Sequence, residues 1–164
     1  LREVNEEGML ILRFNDEPDW EYFGVLTEVD DKPEQSLQLI GSFKLICPDP
    51  YKYKDPQEST GYIRLKHASK VTPELIEGSV NKTTDTIAAK NGSEEIRLNG
   101  NYNSGDKLRV EWLKDSVNIT VNSVNKLHEL NFFNYPETFY IKDKDIITGV
   151  NLRVDKVTWR DRRL

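Results

Sequence analysis

The chain has 164 residues, of which 37% are hydrophobic and 31% charged, and its formal net charge is -5. This composition excludes a disordered chain and allows one domain, or one domain with part of a second. The single cysteine excludes an internal disulfide, and the lack of a run of about 18 apolar residues predicts no membrane insertion.

The negative charge is concentrated at the start of the chain. Residues 1–60 hold 6 Lys/Arg against 14 Asp/Glu, whereas residues 61–164 hold 17 against 14. This change in charge balance supports a domain boundary near residue 60. The small basic excess of the second part does not indicate nucleic-acid recognition, because such proteins concentrate Lys and Arg on one face. Since the sequence begins with Leu1, we expect a fragment of a longer protein.

The first third of the chain predicts strands and no helix. Residues 9–14 form an apolar run, and residues 20–26 are rich in types that suit a pleated sheet. Alternating apolar residues then predict a long strand over residues 36–47, with Gly41 as a candidate bulge. Cys47 ends this strand, and we expect it to be buried and unreactive.

Pro48, Asp49 and Pro50 terminate the predicted strand. Proline cannot donate a backbone hydrogen bond to a central ladder, and the residue before a proline is held in an extended conformation. We therefore interpret Pro48, Asp49 and Pro50 as a stiff interdomain connector. The predicted domains are residues 1–54 and 55–164, and the last residues are candidates for a return to the first domain.

The second part of the chain predicts about eight short strands separated by turns. This pattern is typical of an antiparallel β-sandwich or jelly roll. Residues 61–67 are expected to form a strand. Residues 71–80 are ambiguous between strand and helix, because Pro73 suits the first turn of a short helix that would open at residues 72–76. Asn91-Gly92 predicts a hairpin turn between two strands.

Two further patterns predict the late strands. Residues 107–113 and 116–122 each alternate apolar and polar side chains. We expect them to form an antiparallel hairpin whose apolar rows both face inward. The last strand, residues 150–159, changes phase near Asp155-Lys156, which predicts a bulge there.

The residue pattern indicates no catalytic, metal or cofactor site. His67 and His128 lack Cys, His or carboxylate neighbours at zinc-ligand spacing, and no Gly-rich phosphate loop occurs. The 28 Asp/Glu residues are too many for any pair to identify a glycosidase. Tyr62 and Tyr102, near predicted loops, are the candidate carbohydrate contacts.

Residues 41–53 resemble a signature of the distal tail protein family of long-tailed bacteriophages and prophages. Members carry a strand with a Phe, here Phe43, followed by Cys-Pro-Asp-Pro-Tyr or a close variant, here residues 47–51. The Gly-Asp strand at residues 105–110, its hairpin partner at 116–122, and the closing segments Phe132-Phe133 and 157–164 are similar to further family motifs.

The chain also departs from this family pattern. Asn122-Ser123 stands where Asn-Gly is usual after the hairpin, and Tyr135-Pro136-Glu137 replaces a Pro-Gly turn before the late strand. Compared with the family pattern, we expect the first half of the ring-forming domain to be missing from this sequence.

The resemblance implies a structural role and not an enzyme. Family members form hexameric rings and act as the hub that joins the tail-tube protein to the tail-associated fibre protein and the receptor-binding proteins. The implied architecture is the end of a truncated ring-forming (belt) domain over residues 1–54, followed by a galectin-like β-sandwich over residues 55–164. The implied location is the virion tail tip, after synthesis in the bacterial cytoplasm.

Two other functions stay open from the sequence. A carbohydrate-binding module attaching to host cell-wall polysaccharide would use the sandwich with Tyr62 and Tyr102. The galectin sugar site of His, Asn, Arg and Trp on adjacent strands cannot be assembled from this sequence. A wall-degrading glycosidase would need turnover from a carboxylate pair and has the least support.

Overall fold

A computed structural model describes residues 8–29 and 42–164. In this part of the chain every paired strand is antiparallel, and the only regular helices are short 3₁₀ turns at Leu127–Glu129 and Pro136–Thr138. The predicted mainly β, antiparallel fold class is therefore confirmed. Residues 36–41, which include Gly41 of the predicted long strand, lie outside the described residues. The strands are β1 (Leu10–Phe14), β2 (Glu17–Val29), β3 (Phe43–Ile46), β4 (Lys52–Tyr53), β5 (Gln57–Ser59), β6 (Leu75–Val80), β7 (Thr84–Asn91), β8 (Glu94–Tyr102), β9 (Lys107–Trp112), β10 (Val117–Val121), β11 (Val124–Asn125), β12 (Thr148–Val150), β13 (Leu152–Trp159) and β14 (Arg162–Arg163).

The chain divides into two compact units. Unit 1 comprises Leu1–Asp55 and Arg162–Leu164, and unit 2 comprises Pro56–Asp161. In sequence, unit 2 is therefore inserted between two parts of unit 1. The boundary expected from the sequence lies between residues 54 and 55.

Unit 1 contains one antiparallel sheet in the order β1-β2-β4-β14, with β3 also paired to β2. The strands predicted at residues 9–14 and 20–26 correspond to β1 and β2. They form a hairpin in which Leu12 pairs with Tyr22 and Phe14 pairs with Glu17. Among the described residues of this unit, the buried apolar side chains are Leu12 and Trp20. Unit 1 thus has a small core of its own.

Unit 2 is a β-sandwich of two sheets. One sheet has six strands in the order β11-β10-β9-β6-β13-β5, and the other has three in the order β12-β7-β8. The core lies between them, because its buried side chains come from both sheets and from the loops that follow them. From the six-stranded sheet these are Ile76, Val80, Leu108, Val110, Ile119, Val121, Leu152, Val157 and Trp159; from the three-stranded sheet they are Ile87, Ala89, Ile96, Leu98 and Tyr102.

Both predicted hairpins are present in unit 2. In the β9–β10 hairpin Leu108 pairs with Val121 and Val110 pairs with Ile119. These four side chains are buried, so the prediction that both apolar rows face inward is confirmed. In the β7–β8 hairpin Asn91 pairs with Glu94, which places the turn one residue later than the Asn91-Gly92 pattern indicated.

The predicted bulge in the last strand is confirmed. Against β6, Val154 pairs with Gly78 and Lys156 pairs with Glu77, so Asp155 is the extra residue. Two residues on one strand opposing one on its neighbour define a β-bulge. The bulge restores the inward orientation of Val157, which is fully buried. Asn151, with φ 53°, separates β13 from β12, so the predicted strand over residues 150–159 is interrupted.

The strand predicted over residues 61–67 is wrong. Only Tyr62 forms a β-bridge, with Ile146. Gly61 has φ 129°, and a Cβ at this position would lie 2.7 Å from the Ile147 carbonyl oxygen. This conformation suits glycine and breaks the regular strand. Buried Ile63 and Leu65 still alternate, which explains why the sequence resembles a strand.

The structure decides the ambiguous residues 71–80 in favour of a strand, and no helix opens at residues 72–76. Val71 bridges Ile141, and β6 begins at Leu75. The amide of Glu74 donates to the Thr158 carbonyl at 2.8 Å, and its carbonyl accepts from the Trp112 amide at 3.0 Å. These long-range ladder bonds favour an extended chain over the local preference of Pro73 for a helix start.

The carboxylate of Asp161 organises the segment that follows Leu65. Asp161 is almost completely buried. Its oxygens accept hydrogen bonds from the backbone amides of Lys66 at 2.8 Å, His67 at 3.1 Å and Ala68 at 2.9 Å. Three converging amides satisfy this buried charge, and the carboxylate satisfies three amides that have no strand partner.

We expect Asp161→Asn to lower the stability of the chain by about 2 kcal/mol, because hydrogen bonds to a charged group are lost and an amide NH₂ faces backbone donors. For a chain of this size that loss corresponds to a fall of roughly 4–8 °C in Tm. Thermal unfolding followed by circular dichroism measures it. Asp115→Asn, in an exposed turn, is the matched control and should leave Tm unchanged; an equal fall in both variants would contradict this account of Asp161.

Candidate functional site

The C-terminal half of β2 and the whole of β3 form a two-stranded segment with exposed apolar side chains, here called the apolar ribbon. Val25 pairs with Ile46, and Leu26 pairs with Leu45. Partners in register share a face, and successive residues alternate faces. Val25 and Ile46 therefore lie on one face and Leu26 on the other, and each of the three is about half exposed.

The outer edge of the apolar ribbon is also open among the described residues. In this part of the chain β3 pairs with β2 and with no other strand. Phe43, at the start of β3, is more than half exposed. An apolar two-stranded segment is marginal in water unless another surface covers it. An open edge beside it offers unpaired backbone donors and acceptors to a further strand. The ribbon thus has the properties of an assembly surface.

A charged cluster ties the two sequence parts of unit 1 together. The carboxylate of Glu17, at the start of β2, accepts two hydrogen bonds from the Lys52 ammonium at 2.6 Å and one from the Tyr22 hydroxyl at 2.5 Å. It also accepts from Arg163 Nη2 at 2.9 Å. The Lys52 ammonium and the Tyr22 hydroxyl hold the pKa of Glu17 at about 2, well below its usual range.

The same cluster surrounds the indole of Trp20. The ammonium of Lys54 lies 4.7 Å from a Trp20 ring centroid, the guanidinium of Arg163 lies 4.5 Å away, and the Lys52 ammonium lies 5.9 Å away. Cations at these distances are attracted by the ring face. Trp20 is therefore a covered structural residue of unit 1 and does not offer a stacking surface for sugar.

The structure corrects the prediction for Pro48, Asp49 and Pro50. These residues lie inside unit 1, which continues to Asp55, so they are not the interdomain connector. The Asp49 carboxylate accepts from the Tyr51 amide at 3.0 Å and from the Tyr53 hydroxyl at 2.6 Å. Burial and this carboxylate raise the pKa of Tyr53 to about 12. The segment is thus a local turn that leads the chain from β3 into β4.

The prediction that Cys47 is buried is also wrong, because its side chain is exposed. Cys47 follows β3 directly and shares the parity of Phe43 and Leu45. The alternation predicts an inward-facing row, but Phe43 of the same row is also exposed. Sequence periodicity identifies one face of a strand and does not show what lies against it.

The two candidate carbohydrate contacts, Tyr62 and Tyr102, differ in their exposure. Tyr62 is 45% exposed, and the Arg64 guanidinium lies 5.8 Å from its ring centroid. Tyr102 is only 1% exposed, so the expectation that it contacts sugar is wrong. Its hydroxyl donates to the Glu129 carboxylate, and burial together with this carboxylate raises its pKa. Tyr102, the last residue of β8, packs in the core and is a structural residue.

A cavity of about 510 Å³ lies over the polar face of the six-stranded sheet. Its charged side chains pair with one another: Arg109 donates to Glu77 at 2.6 Å and to Glu111 at 2.9 Å. The hydroxyl of Ser79 donates to Asp155 and lowers the pKa of that carboxyl, with a further lowering by Arg153. A general acid needs a raised pKa, so Asp155 is not suited to that role. The lining contains no aromatic side chain.

Within residues 8–29 and 42–164, no group of three or more His, Cys, Asp or Glu side chains is placed to hold a metal ion. The helices of this part of the chain are too short to cross a membrane.

The charged cluster of unit 1 predicts a pH-dependent effect of Glu17→Gln. The pKa of Glu17 is about 2 in the folded chain and about 4.3 in an unfolded chain. Its stabilising effect is therefore fully present above the unfolded pKa and is lost as pH falls towards 2. We expect the Tm difference between wild type and Glu17→Gln to be largest at pH 7 and to shrink through pH 5 to 3.

Calorimetric or circular dichroism melts at several pH values measure this difference. Glu28→Gln is the control, since Glu28 forms only an exposed ion pair with Lys44 at 3.7 Å and such pairs contribute little. A Glu17→Gln deficit that stays constant from pH 7 to pH 3 would contradict the assignment.

Comparison of the sequence with protein-family models gives no match, and comparison with curated proteins gives none. Among solved structures, the chain is similar to the crystal structure of the SPP1 Dit (gp 19.1) protein, described as a paradigm of the hub adsorption apparatus in phages that infect Gram-positive bacteria. The TM-score is 0.65 at 12% sequence identity, over 100% of this chain and 67% of the SPP1 chain. The chain therefore has the fold of a phage tail hub protein, in agreement with the family that residues 41–53 resemble.

Proposed function

We propose that this protein is a structural component of a phage or prophage tail tip. It forms the hub that links the tail-tube protein to the tail-associated fibre protein and the receptor-binding proteins. The observation that carries this proposal is the fold similarity to the SPP1 hub protein along the whole chain. The ordered family motifs at residues 41–53, 105–122 and 157–164 support it independently, because they depend on residue types and not on the fold.

The apolar ribbon supports self-association as part of this role. Unit 1 buries few apolar side chains, while Val25, Leu26, Phe43 and Ile46 remain about half exposed. Contacts that cover the ribbon in a neighbouring copy would bury this surface and pair the open edge of β3. Repetition of one such heterologous contact around a closed axis produces a ring. We propose a hexamer, the number implied by the family resemblance, in the full-length protein.

A non-enzymatic function agrees with the chemistry of the polar sheet face. The charges over the six-stranded sheet are satisfied within the protein, as the Arg109 pairs with Glu77 and Glu111 show. Asp155, whose pKa is lowered by the Ser79 hydroxyl and by Arg153, is not suited to donate a proton. The proposed location is the virion tail tip, after synthesis in the bacterial cytoplasm.

Self-association tests the hub proposal. We expect the full-length protein to form rings, measured by light scattering and electron microscopy, and to bind the tail-tube protein. The double variant Phe43→Asp/Ile46→Asp should shift the population towards monomer, because it places charges on both faces of the apolar ribbon. Leu113→Asp, at an exposed apolar position in unit 2, should leave the ring intact. A protein that is monomeric at all concentrations and does not bind the tail-tube protein would overturn the proposal.

Carbohydrate binding is the alternative function, and the exposed ring of Tyr62 beside Arg64 is the observation that favours it. An aromatic face with an adjacent donor is suited to a sugar ring and its hydroxyls. The burial of Tyr102 removes the second predicted contact and weakens this alternative.

Calorimetric titration with host cell-wall polysaccharide tests the alternative. If the protein is a carbohydrate-binding module, binding saturates and is lost in Tyr62→Ala but not in Phe14→Ala, an exposed aromatic position in unit 1. No heat of binding for the wild-type chain, or equal binding by both variants, would remove Tyr62 as a sugar contact.

A further inference from the structure

Residues 131–136 of unit 2, here called the aromatic loop, hold three exposed aromatic side chains. Phe132 is 87% exposed, Phe133 is 79% exposed and Tyr135 is 64% exposed. The two Phe rings pack edge to face, with centroids 5.7 Å apart and planes at 89°. Complete exposure of a Phe side chain forfeits the stabilisation that its burial would give. Isolated exposed apolar residues are ordinary, but three aromatics within four positions form a patch that indicates binding.

The aromatic loop is held in place by hydrogen bonds at its start. The Asn131 amide donates to the Arg97 carbonyl at 2.8 Å, and the Arg97 amide donates to Asn134 Oδ1 at 2.8 Å. These bonds attach the loop to the free edge of β8, where Leu130 already bridges Leu98. Within the loop, the Asn131 side chain accepts from the Phe133 amide at 3.1 Å.

The end of the loop is anchored in the sandwich. Pro136 is buried, and its carbonyl accepts from the Trp112 indole N–H at 2.8 Å and from the Phe139 amide at 3.1 Å. The backbone is thus fixed at both ends while the aromatic rings point away from the core. A fixed backbone that presents exposed rings needs little ordering on binding, so more of the contact energy contributes to affinity.

An acidic groove runs beside the rings. A cavity of about 400 Å³ is lined by Phe133, Tyr135 and Phe139 on one side and by Glu94 and Glu95 on another. Glu95 is paired with Arg97 and Lys90. The Glu94 carboxylate accepts from the Tyr140 amide at 3.1 Å, and no described cation lies within ion-pair distance of it. Glu137, next to the loop, is exposed and has no described cationic partner either.

We propose that the aromatic loop is a docking site for a protein partner whose contact segment carries Arg or Lys between apolar side chains. Apolar residues of that segment cover Phe132 and Phe133. One of its cations enters the groove and pairs with Glu94, another pairs with the exposed Glu137 next to the loop, and both stack on the exposed rings. Aromatic anchors surrounded by complementary charge are the usual centre of a protein interface.

Other occupants fit the surface less well. The acidic groups repel anionic lipid and nucleic acid. A sugar ring would need a flat platform, but the perpendicular Phe rings do not lie in one plane. A second copy of the chain would repeat the same acidic rim, which opposes a symmetric contact of the loop with itself. This inference goes beyond the proposed hub role and does not depend on it.

The test uses the full chain and a defined 12-residue peptide of alternating arginine and leucine. Two matched peptides replace every arginine by glutamate or every leucine by serine. Binding is measured by calorimetry, and the contact surface is mapped by amide chemical shifts. We expect only the arginine–leucine peptide to bind, with shifts at residues 131–136 and 93–95.

Three double variants test where the peptide binds. Phe132→Ser/Phe133→Ser should weaken binding by at least about tenfold, and Glu94→Gln/Glu137→Gln should weaken it and reduce its salt dependence. The control Leu113→Ser/Val124→Ser changes exposed apolar positions of unit 2 and should bind normally. All three variants should keep the wild-type Tm, because the substituted side chains lie outside the core.

Several results would overturn the proposal. These are no binding of the arginine–leucine peptide, equal binding of the glutamate peptide, shifts confined to other residues, or a lower Tm in Phe132→Ser/Phe133→Ser. Loss of polysaccharide binding in that variant would assign the loop to sugar, and loss of ring formation would assign it to self-association. Failure of the peptide test leaves the ring and tail-tube measurements unaffected, so the two proposals are tested separately.

Discussion

Closure of unit 1 by the last strand is the constraint on which the architecture depends. β14 pairs with β4, and the Arg163 side chain reaches Glu17, which lies 146 residues earlier in the sequence. Closing a loop of that length in an unfolded chain carries an entropic cost that local contacts do not offset. Unit 2 lowers this cost, because β5 pairs with the end of β13 and places Gln57 beside Trp159. Once unit 2 has folded, its two ends lie close together. The flanking segments that form β4 and β14 therefore begin near each other.

The two units differ in how much apolar surface they bury. Unit 2 encloses a continuous core between its sheets, and its bulge at Asp155 keeps Val157 in that core. Unit 1, in its described part, buries Leu12 and Trp20 and relies on the charged cluster around Glu17. A small sheet with little core gains stability from partners more than a complete sandwich does. This difference explains why the surface assigned to self-association lies on unit 1.

The partnered carboxylates of this molecule stabilise its fold. Asp161 satisfies backbone amides of a loop, Glu17 joins two parts of a sheet, and the carboxylates of the six-stranded sheet pair with Arg and Lys. Each of these carboxylates accepts hydrogen bonds from partners within the protein. Among the described residues, the apolar side chains that stay exposed in groups are those of the apolar ribbon and of the aromatic loop. Exposed apolar groups of this kind suit the proposed role in assembly.

The sequence alone determined the strands whose local pattern matches their final environment. The β9–β10 hairpin, the β7–β8 hairpin and the phase change at Asp155 depend on alternation and turn chemistry, which are local. The family motifs at residues 41–53 likewise depend on neighbouring residue types.

Tertiary structure decided the conformation of the remaining segments and the burial of individual side chains. Residues 61–67 and 72–76 follow long-range hydrogen bonds to Ile147, Thr158 and Asp161, which no local window contains. The exposure of Cys47 and Phe132 and the burial of Tyr102 depend on which layer covers each face, because a side chain's neighbours come from distant parts of the chain.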